Sequence, residues 1–134
     1  MKQLKFLLMT FLMAANFACG NFKETDVPPP LIEIALGQEF TLKQGQTALI
    51  SGENLQIAFG GVKSDSRCPA DVQCFWEGDA EVVLNVNKVG SNEGTTINLH
   101  ANRKFVQSAK YQQYEIKLVY LSRENVAKLV VSKK

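Results

Sequence analysis

Ala80-Glu81-Val82-Val83-Leu84-Asn85-Val86-Asn87 carries a plain β signal. Ala80, Val82, Leu84 and Val86 share one parity, and Glu81, Val83, Asn85 and Asn87 the other. A period of two places alternate side chains on opposite faces of a strand. An amphipathic helix would repeat its apolar residues at i, i+3 and i+4 instead. Gly90-Ser91-Asn92-Glu93-Gly94 then reads as a hairpin-like loop, after which Ile97 and Leu99 resume the alternation.

The same period recurs on both sides. Leu31 to Leu36, Phe40 with Leu42, Thr47 to Ile50, and Leu55 with Ile57 and Phe59 precede it. Tyr114, Ile116, Leu118 and Tyr120, and finally Ala127 to Val131, follow. Gly37, Gly45 and Ser51-Gly52 separate the early runs, and Gly60-Gly61 has the look of a bulge. Short alternating runs at regular spacing predict an all-β fold, an antiparallel sandwich or barrel-like form of about seven to eight strands. Asn102 to Lys110 is expected to hold at most one helical turn. Tyr114 and Tyr120 share parity with Ile116 and Leu118, which predicts core or sheet-face packing for both.

Immediately before Ala80 lies the most unusual composition in the 134 residues, Ser66-Arg67-Cys68-Pro69-Ala70-Asp71-Val72-Gln73-Cys74-Phe75-Trp76-Glu77-Gly78. It holds two of the three cysteines and the only tryptophan. In an oxidising compartment Cys68 and Cys74 can close a small ring. The chain-entropy model values so short a loop at roughly 2 to 2.5 kcal/mol. Trp76 is expected to pack over that bridge and seal one end of the core. Redox motifs space their cysteines by two rather than five. A structural zinc site wants four ligands, and His100 is the only histidine. Asp65, Asp71, Glu77 and Asp79 surround the ring. They are calcium-type oxygen ligands, but their spacing matches no EF-hand loop and reads as a charged surface. Ser66 and His100 lack the elbow that frames a serine nucleophile. No phosphate-binding glycine pattern opens a helix. The chain is therefore expected to be non-enzymatic, with no metal and no cofactor. If it has a contact site, the loop residues Asp65, Arg67, Asp71, Trp76 and Asp79 are the candidates.

The N-terminus speaks to location. Lys2 and Lys5 precede an apolar run from Phe6 to Ala15, then Asn16-Phe17-Ala18-Cys19-Gly20. Residues 1–18 match a secretory signal peptide, and the run is too short to span a bilayer. Cys19 after a small residue resembles the lipobox of bacterial lipoproteins, whose signal is cut before a cysteine that then carries lipid. Phe17 and Asn16 stand where that family prefers a small residue and Leu. Lipidation of Cys19 would leave an even pair of cysteines in an exported chain. Residues 19–30, ending in Pro28-Pro29-Pro30, read as an anchor and a stiff tether, and 31–134 as one β-domain. Without residues 1–18 the chain has 13 cationic and 13 acidic side chains, so no basic face for nucleic acid is expected. The expected setting is the bacterial envelope, at the outer membrane, with contacts to the membrane through Cys19 and to an envelope partner.

Ser66-Arg67-Cys68-Pro69, the second cysteine, and Phe75-Trp76-Glu77-Gly78-Asp79-Ala80 resemble a recurring pattern in small bacterial lipoproteins that have no assigned activity. Those proteins also carry a segment like Gly37 to Gln46. That early segment is similar to the opening of chagasin-type cysteine-protease inhibitors, which are β-sandwiches with an Asn-Pro-Thr-Thr-Gly inhibitory loop. No Asn-Pro occurs in this chain. The resemblance keeps protease inhibition as the alternative function.

Overall fold

A computed structural model describes residues 30–134. The expected signal peptide, the expected anchor at Cys19 and the expected tether up to residue 29 lie outside the described residues. Nine strands form: β1 (Leu31–Ile34), β2 (Glu39–Lys43), β3 (Thr47–Ile50), β4 (Leu55–Asp65), β5 (Ala80–Lys88), β6 (Gly94–His100), β7 (Ser108–Tyr111), β8 (Tyr114–Leu121) and β9 (Val126–Lys133). They make two sheets, in the order β1-β3-β4-β5-β6 and β2-β9-β8-β7. This is the expected all-β sandwich, and no described residue is helical.

The alternation in β5 is real: Ala80, Val82, Leu84 and Val86 are buried, while Glu81, Val83, Asn85 and Asn87 face away from the core. Phe59, Leu84, Leu99, Ile116, Leu118 and Leu129 from both sheets meet between them. Burying such side chains is the main favourable term in folding, about 1.5 to 3 kcal/mol for each large one. Two polar ties join the sheets away from the cysteine loop. The Tyr111 hydroxyl donates to the Glu93 carbonyl at 2.9 Å. The buried Tyr114 hydroxyl donates to the Glu53 carboxylate, which Lys133 also approaches at 3.2 Å.

Three details depart from the sequence expectation. The ninth strand is β7, lying where a helical turn was expected. Ser108-Ala109-Lys110-Tyr111 alternates over four residues only, too short a run to stand out, and it is set by hairpin pairing to β8 around Gln112, whose φ is 53°. The pairing is not wholly antiparallel, because β1 runs parallel to β3. Tyr120 is 60% exposed rather than packed. A register shift between Leu118 and Tyr120 inserts a bulge, and buried Leu121 takes up the inward parity. The bulge expected at Gly60-Gly61 is present, as a shift between Phe59 and Gly61.

Candidate functional site

Strand β4 runs past the end of its neighbour β3 and carries the chain out to the cysteine loop. The neck of that loop continues the β4–β5 ladder. Ser66 N–H donates to the Asp79 carbonyl at 2.7 Å, and Cys68 N–H to that of Glu77 at 3.2 Å. Gly78 makes this close approach possible. Its φ is +69°, and a Cβ there would stand 1.9 Å from the Ser66 carbonyl oxygen. Cys68 and Cys74 are joined, with sulfurs 2.14 Å apart and Cα atoms 5.9 Å apart.

Arg67 fastens the neck to the opposite sheet. Its Nε and Nη2 grip both oxygens of Asp65, at 2.9 and 2.7 Å. Its Nη1 donates to the carbonyls of Leu121 and Ser122, at 3.2 and 2.8 Å, and Nη2 also reaches Asn125 Oδ1 at 2.9 Å. A planar fork suits this many partners, where a lysine would not. The Arg67 hydrogen bonds hold the Asp65 carboxyl below the usual carboxylate range, against a smaller opposing effect of burial.

Asp79 fastens the other side. Its Oδ1 accepts from Asn102 N–H at 2.9 Å, and its Oδ2 lies 2.5 Å from His100 Nδ1. Asn102 Nδ2 donates back to the Gly78 carbonyl at 2.7 Å. Partial burial pushes the Asp79 carboxyl up, but the bonds from Asn102, His100 and Ala80 outweigh it and the net shift is down. His100 and Asn102 were not among the candidates. Hairpin arithmetic points to them: counting outward from the Gly90–Gly94 loop puts His100 opposite Glu81.

The tip is different in kind. Val72 is 57% exposed, Trp76 72% exposed, and Phe75 fully exposed. The expectation that Trp76 shields the disulfide and seals the core is therefore wrong. Trp76 does keep the parity of buried Ala80. The neck, however, has carried it beyond the last layer of the sandwich, where no facing sheet remains to pack on. Asp71 is exposed at the tip as well.

The candidates thus divide. Asp65, Arg67 and Asp79 hold the loop, whereas Asp71 and Trp76 stand free on it. Asp65 and Asp79 are engaged by different partners, and among the described residues no three acidic, histidine or cysteine groups converge as a metal site. Ser66 Oγ donates to the Asp79 carbonyl at 3.1 Å, while His100 faces the Asp79 side chain, so the two do not form a nucleophile–base pair. Beside the neck lies a cleft of about 350 Å³, bordered by Arg67, Glu77, Asn102, Arg103, Tyr120 and Arg123. Of these, Arg67 and Asn102 are committed to the hydrogen bonds above. Comparison of the chain with protein-family models, curated proteins and solved structures finds no match.

Proposed function

We propose that this chain is a non-enzymatic lipoprotein of the bacterial envelope, anchored through Cys19 at the outer membrane, whose β-domain works by contact. One observation carries the reading. The loop's base is clamped by a disulfide, by Arg67 and by Asp79, yet its tip leaves Val72, Phe75 and Trp76 in water. Exposed large apolar groups on a pre-organised loop cost little entropy to bury against something else. The sequence supplies the anchor: a basic start, an apolar run and Ala18-Cys19.

Two measurements test it. Intact mass and detergent phase partition should find lipid on Cys19; full-length protein with an unmodified Cys19 in the aqueous phase removes the anchor. Crosslinking in the native envelope should capture contacts through the loop, and a Cys68→Ser/Cys74→Ser chain should lose them. Capture that persists after the loop is opened, with the domain still folded, removes the loop as the contact site. A braced loop on a sandwich also suits the inhibitor alternative. Sub-micromolar inhibition of a papain-like protease would select that reading.

A further inference from the structure

The exposed apolar residues are unevenly placed. Among the described residues eight large hydrophobics are exposed. Six belong to one end of the sandwich: Val72, Phe75 and Trp76 on the cysteine loop, Phe105 and Val106 on the β6–β7 connection, and Tyr120 beside the cleft. Register brings these together. His100, at the end of β6, pairs with Glu81 at the start of β5, and Arg67 ties the loop neck to Leu121 and Ser122. Only Val89 lies at the far end; Leu31 marks where the chain enters.

The point of entry faces the same way. β1 is parallel to β3, and β3 is antiparallel to β4, so β4 runs toward the end from which β1 starts. Leu31 is level with Thr47, and Thr47 with Ala58. From Ala58 to Asp65 the strand advances about 23 Å, and the neck adds about 7 to 10 Å. Leu31 therefore opens at the loop end of the sandwich, and the loop tip stands about 30 Å ahead of it. The stretch from 19 to 30 can span at most about 40 Å. An anchor at Cys19 is thus within reach of a bilayer that the tip touches.

We propose that the loop end is a membrane-contacting face, with Val72, Phe75 and Trp76 entering the headgroup–acyl boundary of a bilayer. This inference rests on the lipoprotein reading and names the loop's partner. Tryptophan and phenylalanine suit that layer, which accepts an apolar ring body and a polar rim. The charges select the kind of surface. The four connections at this end carry Arg67, Arg103, Lys104 and Arg123 against Asp71, Glu77, Asp79 and Glu124, the β2–β3 turn adding no charge. Four against four gives no net attraction to an anionic surface, and exposed Asp71 and Glu77 sit nearest the tip. The face therefore fits zwitterionic headgroups. One lipid chain alone holds a protein only marginally, so a second, interfacial contact has a purpose.

Trp76 is the only tryptophan, so its fluorescence reports on the tip alone. The test uses the full chain with phosphatidylcholine vesicles, with and without bromine on the acyl chains near the headgroup. The chain should float with the vesicles, and Trp76 emission should shift to the blue and lose about half its intensity on brominated lipid. Val72→Ser/Phe75→Ser, at exposed positions outside the core, should still float but lose the quenching. A chain that floats while Trp76 stays water-exposed and unquenched overturns this inference and leaves the anchor standing. A chain that does not float overturns both. Trp76 unquenched by lipid but shielded on adding envelope protein would make the face a protein contact and refute the bilayer assignment.

Discussion

Arg67 shows how one side chain can decide where a loop sits. Its guanidinium joins Asp65 to the Leu121 and Ser122 carbonyls, so it closes the end of the sandwich across both sheets. Arg67→Ala should lower stability by about 2 to 3 kcal/mol, since it orphans a carboxylate and two carbonyls. Arg67→Lys should recover only part of that, because a point charge cannot serve the five oxygens that the planar fork reaches. Urea denaturation of the three proteins checks the order. Asp65 and Asp79 contribute to the pH response, alongside Glu53 and Glu115, whose carboxyls are also lowered. Both aspartate carboxyls are held below their ordinary values, so their stabilisation is present above the unfolded carboxylate range and drains away as pH falls through the lowered values. Midpoint against pH should fall below about pH 4, with a shallower slope in Asp79→Asn. A slope unchanged in that variant would mean the Asp79 contacts carry no linkage. The importance of Arg67 was partly legible, as a cationic residue beside the cysteine ring. Its partners were not, because nothing local in the sequence says that residues 121, 122 and 125 arrive there.

At the scale of elements, strands were readable wherever one face meets the core and the other meets water. β5 is the clearest instance, and β4 and β8 follow it. Reading failed where an inserted residue breaks the period. In β8 the shift after Leu118 sends Tyr120 outward and Leu121 inward, and a strict alternation has no term for that. The consequence is measurable. Tyr120→Ser should leave stability within about 0.5 kcal/mol of the parent, whereas Leu121→Ala should cost about 2 to 4 kcal/mol. Equal costs at the two positions would contradict the bulge. β7 was invisible for a different reason. Ala109 and Tyr111 alternate with Ser108 and Lys110, but four residues with one large apolar side chain are defined by the neighbour they pair with, and pairing is a tertiary fact.

For the molecule as a whole, core and loop are separate. None of the buried hydrophobics lies between residues 63 and 79. Opening the ring in Cys68→Ser/Cys74→Ser should therefore cost only the loop's own closure, about 2 to 2.5 kcal/mol. The far-ultraviolet circular dichroism should stay that of a β-sheet protein. Loss of the sheet spectrum would show that the ring supports the core after all. This separation also explains why Trp76 was misread. Tryptophan is large and usually much buried, so a lone one after a disulfide suggests a core plug. Only the run of the β4–β5 ladder past the end of β3 shows that the ring has passed beyond the core.

The strand that joins the domain to whatever precedes it has a mechanical meaning. β1 is four residues long, half-buried, and hydrogen-bonded along one side to β3. A pull on residue 30 acts along the axis of β1, opposite to its direction. It loads the whole β1–β3 ladder at once in shear, where a sideways pull would unzip one bond at a time. Ile32 and Ile34 only pad the edge of the core, so β1 can yield and leave the sandwich closed behind it. Residues 31 to 34 already run at about 3.3 Å each in the strand, so their release adds little reach before the core itself bears load. In a force–extension trace this would be a short first step ahead of the main rupture: a fuse at the leash end of a small protein.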